Sequence, residues 1–147
     1  KFDRVDDAVC AVRSALEEGI VAGGGLPLLK ISKELNANVK NAEEIVALQI
    51  LKDALAVPCN QILINAGIDH NEIIRHISVT QTHTLVGKEG MSYGYDVKNQ
   101  KYGDMYNMGI IDPLKVTKNA LINAVSVATT ILSTNAIVTL ARTYDSK

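Results

Sequence analysis

Large aromatic side chains are nearly missing from this chain: it has no Trp, one Phe and five Tyr among 147 residues. Rings normally carry much of a core's burial. Here that falls to Ala, Val, Leu and Ile, which suits closely packed helices. Cysteine is scarce too. Cys10 and Cys59 have no C-x-x-C spacing and sit in helical apolar patterns. They predict two reduced, buried small residues rather than a disulfide or a metal site. An excess of either charge is lacking, since 15 basic and 16 acidic residues leave a net −1. That removes the electrostatic case for nucleic acid or an anionic membrane as partner. No apolar run approaches the ~20 residues of a bilayer span, so none is expected. There is no secretory signal pattern and no repeat of 20–50 residues. What remains is a chain of one domain's length, 47% hydrophobic and 21% charged, able to bury about two-thirds of its unfolded surface. It opens on Lys1 and enters a helical pattern within a few residues, as a segment of a longer protein would.

The stretch Gly19-Ile20-Val21-Ala22-Gly23-Gly24-Gly25-Leu26-Pro27 divides the chain. Three consecutive glycines permit positive φ and close approach by another group. Pro27 fits the first turn of a helix. The reading is helix, hinge, glycine corner, helix start. A helix N-terminus behind glycines suits an anion or a nucleotide, and the same residues also serve a plain αα corner.

Before this stretch, residues 3–18 predict an amphipathic helix with Val5, Ala8, Val9, Val12 and Leu16 on one face. Asp7 lies about 200° from Val5, on the polar side, where a solvated charge near a helix start is ordinary. After it, a short helix covers 26–36. Asn41 with Glu44 forms a capping-box pattern, opening a helix whose Val46, Leu48, Ile50, Leu51 and Leu55 are expected to face the core. Val57-Pro58 predicts a break, with a new helix from Pro58 to a stop at Gly67. Asp69 with Glu72 opens another, to about Ser78. Residues 79–92 read as an irregular loop. The histidines His70, His76 and His83 stand at no defensible metal spacing. Tyr93–Asp96 and Lys101-Tyr102 around Val97–Gln100 predict a β-hairpin, followed by one helical turn over Met105–Met108. Asp112-Pro113 predicts a helix start with an Asp N-cap, running to about Ser133. Asn135 to Leu140 alternates as a terminal strand does.

Several separated motifs fall in register: Arg4-Val5-Asp6-Asp7-Ala8, Glu17-Glu18-Gly19 leading into Gly23-Gly24-Gly25, Tyr93-Gly94-Tyr95-Asp96, Tyr102-Gly103-Asp104-Met105, and Met108 through Asp112-Pro113-Leu114-Lys115-Val116. Together, from Lys1 to about Leu140, they closely resemble the C-terminal third of the group I chaperonins, the GroEL-like heat-shock ring chaperones of bacteria, mitochondria and plastids. The resemblance implies a mainly α, multihelical fold: half of a chaperonin equatorial domain, with a small β-hairpin and a C-terminal strand. Residues 1–19 would be the returning helix of the intermediate domain, and residues 20–147 the second half of the equatorial, nucleotide-binding domain.

It also implies roles. Asp7 matches the family's catalytic aspartate, which positions the attacking water beside the metal-bound γ-phosphate, and Asp6 takes the neighbouring acidic position. Gly24 matches the glycine whose backbone meets the nucleotide. Asp112 matches the ribose-binding aspartate. Asp96 and Val97 match a strand-end pair that usually reads Asn-Ala and contacts adenine; Asp96 lacks the amide donor. Lys98 follows them as a further candidate. ATP with Mg2+ is the implied cofactor, its metal ligand and phosphate loop lying in an N-terminal half absent here, since the sequence has neither G-x-x-x-x-G-K-[ST] nor Gly-Asp-Gly-Thr-Thr. Implied partners are identical subunits in a ring, a co-chaperonin lid and unfolded client proteins, without nucleic acid or membrane. The setting would be an organellar matrix or stroma, or a bacterial cytoplasm. Asp96 and a loop at 79–92 longer than usual hint at a divergent organellar, plastid-type version. Two other classes compete: a ligand-free helical docking module, and a nucleotide-dependent enzyme using Gly23–Gly25 as a dinucleotide loop, although GGG is not G-x-G-x-x-G and no strand-like run precedes it.

Overall fold

A computed structural model describes residues 2–36, 41–83, 92–136 and 138. Its elements in order are α1 (Phe2–Glu18), β1 (Ile20–Ala22), α2 (Leu26–Glu34), α3 (Ala42–Asn65), α4 (His70–His83), β2 (Tyr93–Asp96), β3 (Lys101–Asp104), β4 (Ile111–Pro113) and α5 (Leu114–Leu132). The fold is mainly helical, as the sequence predicts. Two antiparallel pairs supply the strands, β1 with β4 and β2 with β3.

The core is small and aliphatic. Leu26 and Leu29 of α2, Cys59 and Leu63 of α3, and Ile73 and Ile77 of α4 bury together, joined by Ala22 and Met105. Local chemistry sets the helix ends. The Asn41 side chain accepts from the Glu44 amide at 2.8 Å and its own amide reaches back to the Glu44 carboxylate at 3.3 Å, the expected capping box. Gly67, at φ +72°, closes α3: the Ile68 amide donates to the Leu63 carbonyl at 3.0 Å and the Gly67 amide to Ile64 at 2.9 Å, a Schellman motif. Asp69 caps α4 through the Asn71 amide at 2.9 Å.

Several expectations are corrected. Pro58 does not break the helix; α3 runs through it for 24 residues. Leu55, Cys59 and Leu63, spaced by four, are all buried on one side of α3, and this packing on both sides of the proline outweighs its missing N–H. Of the five α3 residues expected to face the core only Leu55 is buried, because α3 turns its C-terminal half inward; Val46 and Ile50 are exposed. By length and composition α3 is long and apolar enough to cross a membrane, which counting uninterrupted apolar residues does not register; Leu55, Cys59 and Leu63 are its buried residues. Cys59 is buried as expected, but Cys10 is exposed. Residues 79–83 continue α4. The rest of the expected loop, 84–91, lies outside the described residues, as do 137, 139 and 140 of the expected strand at 135–140, whose described residues 135, 136 and 138 are not in a strand.

The glycine stretch differs as well. Ile20–Ala22 is a strand, paired so that Ile20 faces Pro113, Val21 faces Asp112 and Ala22 faces Ile111. A three-residue strand is too short to show periodicity, and its partner lies some ninety residues away. The pairing, with the Leu114 amide donating to the Gly19 carbonyl at 3.1 Å, sets the end of α1 beside the start of α5. Lys115 and Lys118 of α5 form ion pairs with Glu17 and Glu18 of α1. Neither helix has a buried residue.

Candidate functional site

The glycine corner, α3, α4 and the β2–β3 hairpin enclose a cavity of about 230 Å³. Gly24 borders it on one side and the turn residues Asp96, Val97 and Lys98 on another. Cys59, Leu63, Ile73, Tyr95 and Ile110 also line it. The space is below the usual range for a drug-sized ligand, so it suits one end of a nucleotide, such as a base, rather than the whole.

Each wall has a local cause. Gly24 and Gly25 both take φ +71°, the left-handed region that favours glycine. A Cβ on Gly24 would stand 3.3 Å from the Met105 methyl, so the close approach seen here is to a side chain of the protein itself. The Gly23 amide donates to the Ile110 carbonyl at 2.9 Å, tying the corner to the residue that leads into β4. The hairpin wall is fixed by Asp96, which is only 7% exposed. Its Oδ1 accepts from the Lys98 amide at 2.9 Å and the Asn99 amide at 3.2 Å, and its Oδ2 from the Asn99 side chain at 2.6 Å. The Asn99 side-chain bond foremost, then the turn's backbone bonds, hold this carboxyl below the usual carboxylate range. Asp104 anchors the other end of the hairpin: Ser92 donates to it, as does the Asn107 amide at 2.8 Å, and its carboxyl is likewise lowered, chiefly by Ser92.

Of the six residues singled out in the sequence, four therefore meet at one cavity: Gly24, Asp96, Val97 and Lys98. Asp112 does not line it. It sits half-buried at the centre of β4, opposite Val21, and burial raises its carboxyl. Nor is it the N-cap of α5: that position is Pro113, which has no side-chain cap bond. Pairing with β1 runs on through Pro113, which faces Ile20, so α5 begins one residue later than expected and its cap falls on Pro113. Asp7 is exposed on α1, a helix that packs on α5 and β4. Sequence reasoning missed Cys59, Tyr95 and Asn99. The four-residue spacing of Leu55, Cys59 and Leu63 signals the first, the alternation of β2 the second, and an Asp three residues before an Asn in a turn the third.

Residues 2–142 match the TCP-1/cpn60 chaperonin family, and the chain belongs to it. A solved structure of a group III chaperonin in the open state is similar to it, with a TM-score of 0.73 and 28% sequence identity. The match covers 85% of this chain and 25% of that one, so the chain spans about a quarter of that chaperonin's length.

Proposed function

We propose that this chain is the C-terminal segment of a group I, GroEL-like ring chaperonin, and that it supplies one wall of an ATP site used to drive the folding of non-native proteins. Residues 1–19 would close the intermediate domain and 20–147 complete the equatorial domain. The observation that carries the reading is the convergence of Gly24 with Asp96, Val97 and Lys98, some seventy residues apart in sequence, on one apolar cavity. Membership of the chaperonin family supports the coarser part, and the register of the motifs supports the assignment to group I.

ATP supplies the phosphoryl group, and the residues here orient it. The cavity takes the base end between Leu63, Ile73 and Val97. Asp112 offers a carboxylate to ribose hydroxyls from β4, and Gly24 a backbone without Cβ. Asp7, on the far side of Gly19, positions the attacking water when α1 swings toward the site; such positioning is the main catalytic resource of phosphoryl transfer. Mg2+ and the phosphates would be held by the N-terminal half of the longer protein. Identical subunits, a co-chaperonin lid and unfolded clients are the expected partners, in an organelle or a bacterial cytoplasm. Calorimetric titration of ATP with Mg2+ tests the reading. The full-length subunit should bind ATP and the isolated chain should turn it over negligibly. A full-length subunit that neither binds nor hydrolyses ATP would contradict it.

A further inference from the structure

Met105 packs between the glycine corner and β2 without being one of the cavity's lining residues. It follows β3 directly and is only 2% exposed. Both of its backbone groups are used. Its amide donates to the Ser92 carbonyl at 2.9 Å, just before β2, and its carbonyl accepts from the Ile110 amide at 2.9 Å. The Ile110 carbonyl in turn accepts from the Gly23 amide at 2.9 Å. The main chain at Met105 is thus tied toward the hairpin on one side and the glycine corner on the other. The side chain fills the space between them. A Cβ on Gly94 of β2 would fall 2.8 Å from the Met105 Sδ and 2.9 Å from its Cγ, and a Cβ on Gly24 would fall 3.3 Å from its terminal methyl. The thioether therefore runs past two positions at which the chain carries no side chain. Methionine is unbranched and adaptable, which lets it fill a gap of this shape. Close-packed interiors transmit displacement rather than absorb it. Gly24 lines the cavity, and so do Tyr95 through Lys98, which follow Gly94 in the chain.

We propose that Met105 is a positioning residue for nucleotide binding: its thioether, wedged between Gly94 and Gly24, sets the separation of the hairpin from the glycine corner and so the width of the cavity. This rests on the reading of the cavity as a nucleotide site. Met105 acts through Gly24 and the hairpin, and touches neither the base nor the phosphates. Its loss should therefore weaken binding of ATP and leave the chemical step alone, since Asp7 lies on a different element, α1. A residue that only filled the core would lower stability without moving affinity.

The test uses the full-length subunit, with ATP affinity read by displacement of a fluorescent ATP analogue and hydrolysis by single turnover at saturating ATP. Met105→Ala should raise the dissociation constant by about ten- to a hundredfold, the range in which supporting residues behind a binding group act, with the saturated rate nearly unchanged. Leu55→Ala is the control. Leu55 is buried on α3 and does not line the cavity, so it should lower the urea midpoint and leave the dissociation constant as it is. Equal weakening by the two truncations, or unchanged affinity in a folded Met105→Ala subunit, overturns the proposal and leaves the nucleotide site standing. If the unaltered subunit binds no ATP, the site reading falls and the proposal with it. Gly94→Ala tests the wedge at full side-chain length, and carries the test alone should Met105→Ala fail to fold: its new methyl displaces the thioether and should weaken ATP as well. Joined to Met105→Ala, it should weaken ATP by less than the two factors multiplied, because the shortened side chain leaves room for the methyl. Factors that simply multiply, or a Gly94→Ala subunit with unchanged affinity, would contradict the wedge.

Discussion

Gly25 and Cys59 meet backbone to backbone: a Cβ on Gly25 would lie 2.9 Å from the Cys59 amide nitrogen. Real Cβ contacts are not that short, and helix backbone cannot step aside as a side chain can. Gly25 also takes φ +71°. Gly25→Ala should therefore cost about 2–4 kcal/mol, from a left-handed Ala plus overpacking, read as a lowered midpoint in urea unfolding. Gly67→Ala, with nothing within 4 Å of its Cβ, carries only the conformational part and should cost about 1 kcal/mol. Equal losses at the two sites would contradict the packing account.

That contact also shows what the sequence could and could not tell. Caps and stops lie within a few residues of what they cap, so Asn41, Gly67 and the hairpin turn are legible as written. Pro58 misleads because its local preference is overruled by partners on α2 and α4, which no window around residue 58 contains. Strands β1 and β4 are invisible for the same reason: three residues carry no period, and the pairing that extends Asp112 joins Val21 from far along the chain. Four of the six candidate residues, Gly24, Asp96, Val97 and Lys98, line one cavity; the turn bonds that occupy Asp96 emerge only in three dimensions.

Lys30 gives a pH signature. Only 4% exposed, it is pushed down to about 8 by burial, against the pull of the Glu34 and Asp104 carboxylates. A lysine depressed in the folded state binds its proton more readily when unfolded. Between pH 8 and its ordinary value of 10.5, the unfolded chain holds more protons, so stability rises with pH through that window. The gain should be on the order of 1–2 kcal/mol after allowance for solvent screening. Lys30→Met should flatten that part of a stability-versus-pH curve obtained by urea titration. A wild-type curve that falls over the same window would contradict the sign.

The helix pair α1–α5 leaves much apolar surface open: Val5 is 63% exposed, Leu16 83% and Leu132 86%. Large exposed apolar patches mark interaction surfaces or aggregation liabilities. The isolated 147-residue chain should bind a hydrophobic dye and self-associate, with light scattering rising with concentration. Replacing Val5, Val9 and Leu16 by Ser should suppress both signals and leave α2–α4 folded. A monomer that binds no dye would contradict the expectation.

Asp7 tests the catalytic part of the proposal. Its exposure on α1 means Asp7→Ala should change stability by less than about 0.5 kcal/mol. In the full-length subunit it should leave ATP affinity nearly intact, because the cavity residues lie elsewhere, and slow hydrolysis by about 10²–10⁴-fold. Single-turnover kinetics separates the two steps. Weakened binding with a normal chemical step would move Asp7 from orienting water to holding nucleotide.

Where the base sits is the central question, and photolabelling asks it directly. A full-length subunit equilibrated with 8-azido-ATP and Mg2+, irradiated and digested, should carry label on the peptides spanning the β2–β3 hairpin or Gly24–Leu29, and excess ATP should abolish it. Competable label confined to peptides outside the cavity lining would contradict the assignment of this cavity to the base.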